Sequence, residues 1–95
     1  MQLEIITPES KIFTGEAEAV QFPGLDGSFQ VMENHAAIIS ALSKGVVKAN
    51  LKNNFNAHNN NDSIKIDSSD KKLIRVNIKG GVMEMLNNKI IVLAE

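Results

Sequence analysis

Apolar and polar residues alternate with period two along almost the whole chain, the pattern of strands that bury one face and wet the other. Leu3 and Ile5 alternate with Gln2 and Glu4, and Thr7-Pro8-Glu9-Ser10 ends that strand, because proline cannot donate to a ladder. From Lys11 to Phe22 the alternation changes phase: Ala17 and Ala19 oppose Glu16 and Glu18, then Val20 and Phe22 oppose Gln21. A β-bulge near Ala19 accounts for the change, since one extra residue swaps the two faces of a strand. Pro23-Gly24-Leu25-Asp26-Gly27 predicts a chain reversal in which Asp26 bonds the backbone two residues on. Phe29 and Val31 form the next pair facing the core.

The polar segment Glu33-Asn34-His35 leads into the apolar run Ala36 to Leu42, closed by Gly45, the one place where the pattern admits a helical turn. Val47, Ala49 and Leu51 then alternate with Lys48, Asn50 and Lys52. Six asparagines between Asn53 and Asn61 are too polar to pack and tolerate the left-handed region, so a long hairpin loop is expected over about residues 53–63, with Ile64 and Ile66 on its return side. Ile74, Val76 and Ile78 give the cleanest alternation, Gly80-Gly81 permits a bend, and Val82 to Leu86, Asn87-Asn88 and Ile90 to Ala94 read as a closing hairpin. About eight to ten short, mostly antiparallel strands predict an all-β chain forming one domain over residues 1–95, and a sandwich is preferred to a barrel.

Composition narrows the function classes. The apolar share is aliphatic, with four Phe and neither Trp nor Tyr, which favours sheet packing over an aromatic binding cleft. Ten basic against eleven acidic side chains offer no excess of positive charge with which to gather nucleic acid. The absence of cysteine excludes a disulfide frame, a thiolate metal site and a thiol nucleophile. No apolar run approaches the ~20 residues of a membrane span and the first residues lack signal-peptide character, so the chain is expected to stay where it is made.

Candidate chemistry is sparse. His58 lies inside the Asn-rich loop and reads as solvated, and His35 reads as a loop brace or a partner contact, neither having a second His at metal-ligand spacing. Glu16 and Glu18 share a strand face and could imitate a catalytic carboxylate pair, but their Ala neighbours offer no pocket, so a solvated face is expected. Gly80-Gly81 lacks the Lys-Ser/Thr that grips phosphate, Ser40, Ser43 and Ser63 lack the setting of an activated nucleophile, and Asn61-Asp62-Ser63 is a glycosylation sequon read only as polar loop. The residues alone predict a small non-catalytic β-sandwich that binds something. A subunit of an assembly and a free-standing small-ligand or glycan-binding module both fit, although the missing Trp and Tyr weigh against the second. A hydrolase using His35 with a carboxylate is the weakest reading.

Three segments in order resemble the ATP synthase epsilon subunit family. They are Met1 to Glu9 with Phe13-Thr14-Gly15-Glu16, Phe22 to Ala37 with Leu42-Ser43-Lys44-Gly45, and Gly80 to Glu95. The resemblance spans nearly the whole chain except residues 53–72. It implies a flattened β-sandwich at the foot of the central stalk, against the gamma subunit and the c-subunit rotor ring, on the cytoplasmic face of the bacterial inner membrane. Catalytic residues, cofactors, metals, nucleotides and direct membrane insertion are not implied. Carried over residue by residue, Asp26, Ser28, Gln30, Glu33, Asn34 and His35 are the expected partner contacts. The family pattern has Gly where Gln30 stands, Pro where Glu33 and Ala37 stand, and in some relatives an acidic residue at Ser28. Longer relatives continue past the position of Glu95 into a two-helix domain that carries nucleotide binding and inhibition. With Glu95 as terminus, the resemblance implies coupling without either.

Overall fold

In the computed structural model, which describes residues 1–55 and 63–95, the alternating segments form nine strands. They are β1 (Gln2–Ile6), β2 (Lys11–Gly24), β3 (Gly27–Met32), β4 (Ile38–Leu42), β5 (Gly45–Leu51), β6 (Ile64–Ile66), β7 (Leu73–Ile78), β8 (Gly81–Leu86) and β9 (Lys89–Ala94). All ladders are antiparallel except that of β1 with β9, which is parallel. No helix among the described residues is long and apolar enough to cross a membrane.

The 14-residue β2 serves both halves of the sandwich. Its residues 11–16 pair with β1, its residues 17–21 with β5 on one side, and its residues 19–24 with β3 on the other. Between Ala17 and Ala19 the register with β5 slips by one, so Glu18 is the extra residue of a bulge, and Ala19 and Val20 are consequently both buried. One layer runs β1-β9-β8-β4 and the other β3-β2-β5-β7-β6, with β4 rejoining β2 at Leu42 and Gly24. Side chains from both layers, among them Leu3, Phe22, Val31, Val76, Met83 and Ile90, form one buried cluster. Each such side chain stabilises the fold by about 1.5–3 kcal/mol through removal from water. Phe22 lies 5.5 Å from Phe29 between ring centroids across the β2–β3 ladder, and Phe13 of β2 lies 6.0 Å from Phe55 beyond the end of β5, so the four aromatics form two pairs.

Three expectations are corrected. Pro23 and Gly24 belong to β2, opposite Ser28 and Gly27, which leaves only Leu25 and Asp26 in the turn. The run Ala36 to Leu42 contains no helical turn: it enters β4, whose ladder with β8 satisfies the backbone that a lone turn would leave open. The return strand β6 pairs with β7, which also pairs with β5, so β7 separates β5 from β6 where the two were expected to pair with each other. Most of residues 53–63, including His58, lie outside the described residues.

Candidate interaction surface

Five of the six residues expected to meet a partner fall into two groups at opposite ends of β3, and Gln30 lies between them. Five residue steps of strand from Gly27 to Met32 span about 17 Å, too far for one contact to cover both ends. At the hairpin end, Gly27 has φ of 121°, a conformation that closes the two-residue turn and that L side chains rarely adopt. Asp26 and Ser28 are exposed there, and Gln30, also exposed, lies nearer the other end of β3, its side-chain amide 3.7 Å from Met32 Sδ. Asp26 makes none of the hydrogen bonds expected of it, because the glycine already sets the turn. That device occurs instead at Asp67, which accepts from the Ser69 N–H at 3.0 Å, and at Asp70, which accepts from the Lys72 N–H at 2.9 Å. Among the described residues β3 pairs only with β2, so its second edge is open.

At the other end, Glu33, Asn34 and His35 form a braced turn. Asn34 takes a positive φ of 63°, and its N–H donates to Asn88 Oδ1 at 2.8 Å, tying the turn to the β8–β9 hairpin. The His35 N–H donates to the Met32 carbonyl at 3.2 Å, and His35 Nδ1 lies 2.7 Å from the Ala36 carbonyl. A carbonyl only accepts, so Nδ1 carries the hydrogen, and Nε2 remains the nitrogen that can face a partner. Glu33 Oε1 accepts from the Met1 ammonium at 2.8 Å and from Lys52 Nζ. The hydrogen bond from Lys52, then that from the ammonium, holds the Glu33 carboxyl at about 2, and Glu33 raises the pKa of Lys52.

A further candidate contact surface is one that alternation alone does not single out. The outer face of the β1-β9-β8-β4 layer carries Ile39, Val82, Leu86 and Leu93, which are 70%, 42%, 51% and 56% exposed. Register places Ala41, Val82, Leu93 and Ile6 in one cross-strand row, and Ile39, Glu84, Ile91 and Glu4 in the next. A shallow groove lined by Ala37, Ile38, Ile39, Glu84, Met85 and Leu86 crosses this face. A second groove runs from Leu25, Asp26 and Ser28 at the hairpin end to Ile39 and Ala41, so one of the two groups borders the apolar face. The signal was present in the sequence as Ile38-Ile39 and Ile90 to Leu93, continuous apolar runs where one wet face would require alternation.

No arrangement suited to catalysis is assembled among the described residues. Glu16 lies 3.3 Å from the Met1 ammonium, and both Glu16 and Glu18 are exposed. Ser43 donates to the Pro23 carbonyl at 3.2 Å and Ser40 to the Ala41 carbonyl at 3.2 Å. Among the described residues, no three His, Asp or Glu side chains converge as metal ligands and no polar side chain is fully buried.

Comparison with known proteins bears on the family and the fold. Residues 1–60 match the family described as ATP synthase, Delta/Epsilon chain, beta-sandwich domain. The chain is 37% identical over 94 residues to the ATP synthase epsilon chain of Chlorobium limicola, covering 99% of this chain and 88% of that one. It is 36% identical over 97 residues to that of Salinibacter ruber, covering all of this chain but only 58% of the relative. A solved structure of the Tetrahymena thermophila mitochondrial ATP synthase, central stalk/c-ring, shares the fold with a TM-score of 0.68 at 13% identity, over 99% of this chain and 62% of that chain. A Euglena gracilis mitochondrial ATP synthase structure does so with a TM-score of 0.73 at 14% identity, over 97% of this chain and 48% of that chain. By the family match and the close similarity along nearly its whole length, this chain belongs to the ATP synthase delta/epsilon chain family, whose β-sandwich domain it carries.

Proposed function

We propose that the chain is a non-catalytic central-stalk subunit of an F-type ATP synthase, joining the gamma subunit to the c-subunit rotor ring and coupling proton-driven rotation to ATP synthesis. Residues 1–95 act as one β-sandwich domain, peripheral on the cytoplasmic face of the bacterial inner membrane. The observation that carries this reading is the apolar outer face of the β1-β9-β8-β4 layer, with Ile39, Leu86 and Leu93 each more than half exposed. Contiguous apolar surface of this kind marks an interface, and a subunit clamped between partners is where it is covered. Gamma covers this face. The hairpin end, with Asp26 and Ser28, meets the polar loops of the ring, Gln30 lies further along β3, and Glu33, Asn34 and His35 hold the far end of β3 in register beside gamma. Family membership supports the assembly, since the relatives are ATP synthase epsilon chains.

Co-expression with the gamma and ring subunits from the same source tests the reading. Stoichiometric co-purification of all three is expected. Recovery of the chain in its own fraction, with gamma and ring free of it, would overturn it.

A further inference from the structure

The two outer faces of the sandwich differ in kind, and the second has a feature that the stalk reading does not use. Across the β3-β2-β5-β7-β6 layer, register sets Gln30 opposite Gln21, Gln21 opposite Lys48, Lys48 opposite Arg75, and Arg75 opposite Lys65. Three cations therefore stand side by side in one cross-strand row, an arrangement in which like charges repel. One of them is compensated: Arg75 Nη1 donates to Asp67 Oδ1 at 2.9 Å. That carboxylate also accepts from the Ser69 N–H at 3.0 Å and the Ser69 hydroxyl at 2.7 Å, so its capacity is taken up locally. Lys48 and Lys65 join no ion pair among the described residues, and Glu18 at the bulge joins none either. The neighbouring outward positions are mixed: Asn50 stands opposite Leu73 on one side of the row and Asn77 opposite Val46 on the other, with both amides and Val46 exposed.

The geometry points to a binding strip for an acidic helix of a partner protein, laid across the strands over Lys48, Arg75 and Lys65. Adjacent strands are about 4.8 Å apart, so the cations repeat at that interval perpendicular to the strands. Carboxylates three or four residues apart on a helix recur at about 5–6 Å, close to that repeat. An extended acidic strand, whose same-face side chains recur at about 6.6 Å, fits it less well. The exposed amides supply hydrogen bonds at the rim, and the charge is complementary. This strip stands apart from the apolar face on the other layer, so the inference does not depend on the gamma assignment.

The test uses the whole chain and a synthetic Ala-rich helical peptide of about 20 residues, long enough to hold its helix, with Glu at every fourth position. The probe is compared with its Gln analogue by fluorescence anisotropy at low salt. The Glu peptide should bind at least about tenfold more tightly than the Gln analogue. A Lys48→Gln/Lys65→Gln variant should lose that preference while keeping the wild-type unfolding midpoint, and a Lys48→Glu/Lys65→Glu variant should shift preference to a Lys version of the peptide. Equal binding of the Glu and Gln peptides, or full binding by the Lys48→Gln/Lys65→Gln variant, would overturn the inference. Retention of the wild-type chain on phosphatidylserine vesicles without binding of the Glu peptide would also overturn it, in favour of a lipid headgroup site.

Discussion

Truncating Ile39 and Leu93 together to Ala tests the apolar face directly. The two side chains are 70% and 56% exposed, on neighbouring rows of the β1-β9-β8-β4 layer. Fully burying a side chain of this size is worth about 1.5–3 kcal/mol, so covering the exposed fraction gains about 1–2 kcal/mol at each position. The methyl group that Ala retains keeps part of this, leaving a loss of about 2–3 kcal/mol for the pair, or about 30- to 150-fold in Kd for gamma. The chain alone should change by only about 0.5 kcal/mol per site, because exposed positions contribute little to the core. Isothermal titration against purified gamma gives the first quantity and urea unfolding of the isolated chain the second. An affinity within about threefold of wild type with the fold intact would refute the assignment of this face to gamma.

Other outcomes follow from the same geometry. Phe22→Ala, at a fully buried position packed at a tilt against Phe29, should cost about 3–5 kcal/mol in urea unfolding. Gly81→Ala should destabilise by more than about 1 kcal/mol, since φ is 146° and a Cβ would lie within 3.1 Å of the Leu93 carbonyl carbon and close to its oxygen. Because the folded-state pKa of Glu33 is depressed, the stability it contributes is present above its ordinary value near 4.5 and is lost as pH falls toward about 2. Lys52→Met should raise that pKa in a carboxyl NMR titration, and an unmoved titration would contradict the ion pair.

Much of the inward set was legible because burial at a sheet face is a local, period-two property. Leu3 and Ile5, Val47 and Ala49, and Val76 and Ile78 are all buried where the alternation puts them. The bulge at Glu18 was legible for the same reason, as a phase change within one strand. The candidate contact residues were only partly legible. Asp26 and Ser28 are near neighbours of Glu33 to His35 in sequence, but an extended strand, which carries Gln30, holds them apart.

Alternation, turn chemistry and the ordered family segments thus determined, by themselves, an all-β sandwich of this family and the residues that fill its core. Strand neighbours were decided only by the tertiary structure. Nothing local to β6 says that it pairs with β7 and not β5, or that β1 and β9 run parallel, because pairing partners are chosen by contacts far apart in sequence. The two outer faces depend on those choices. Ile39, Val82 and Leu93 become one apolar surface, and Lys48, Arg75 and Lys65 one basic row, only when the register brings three separate strands side by side.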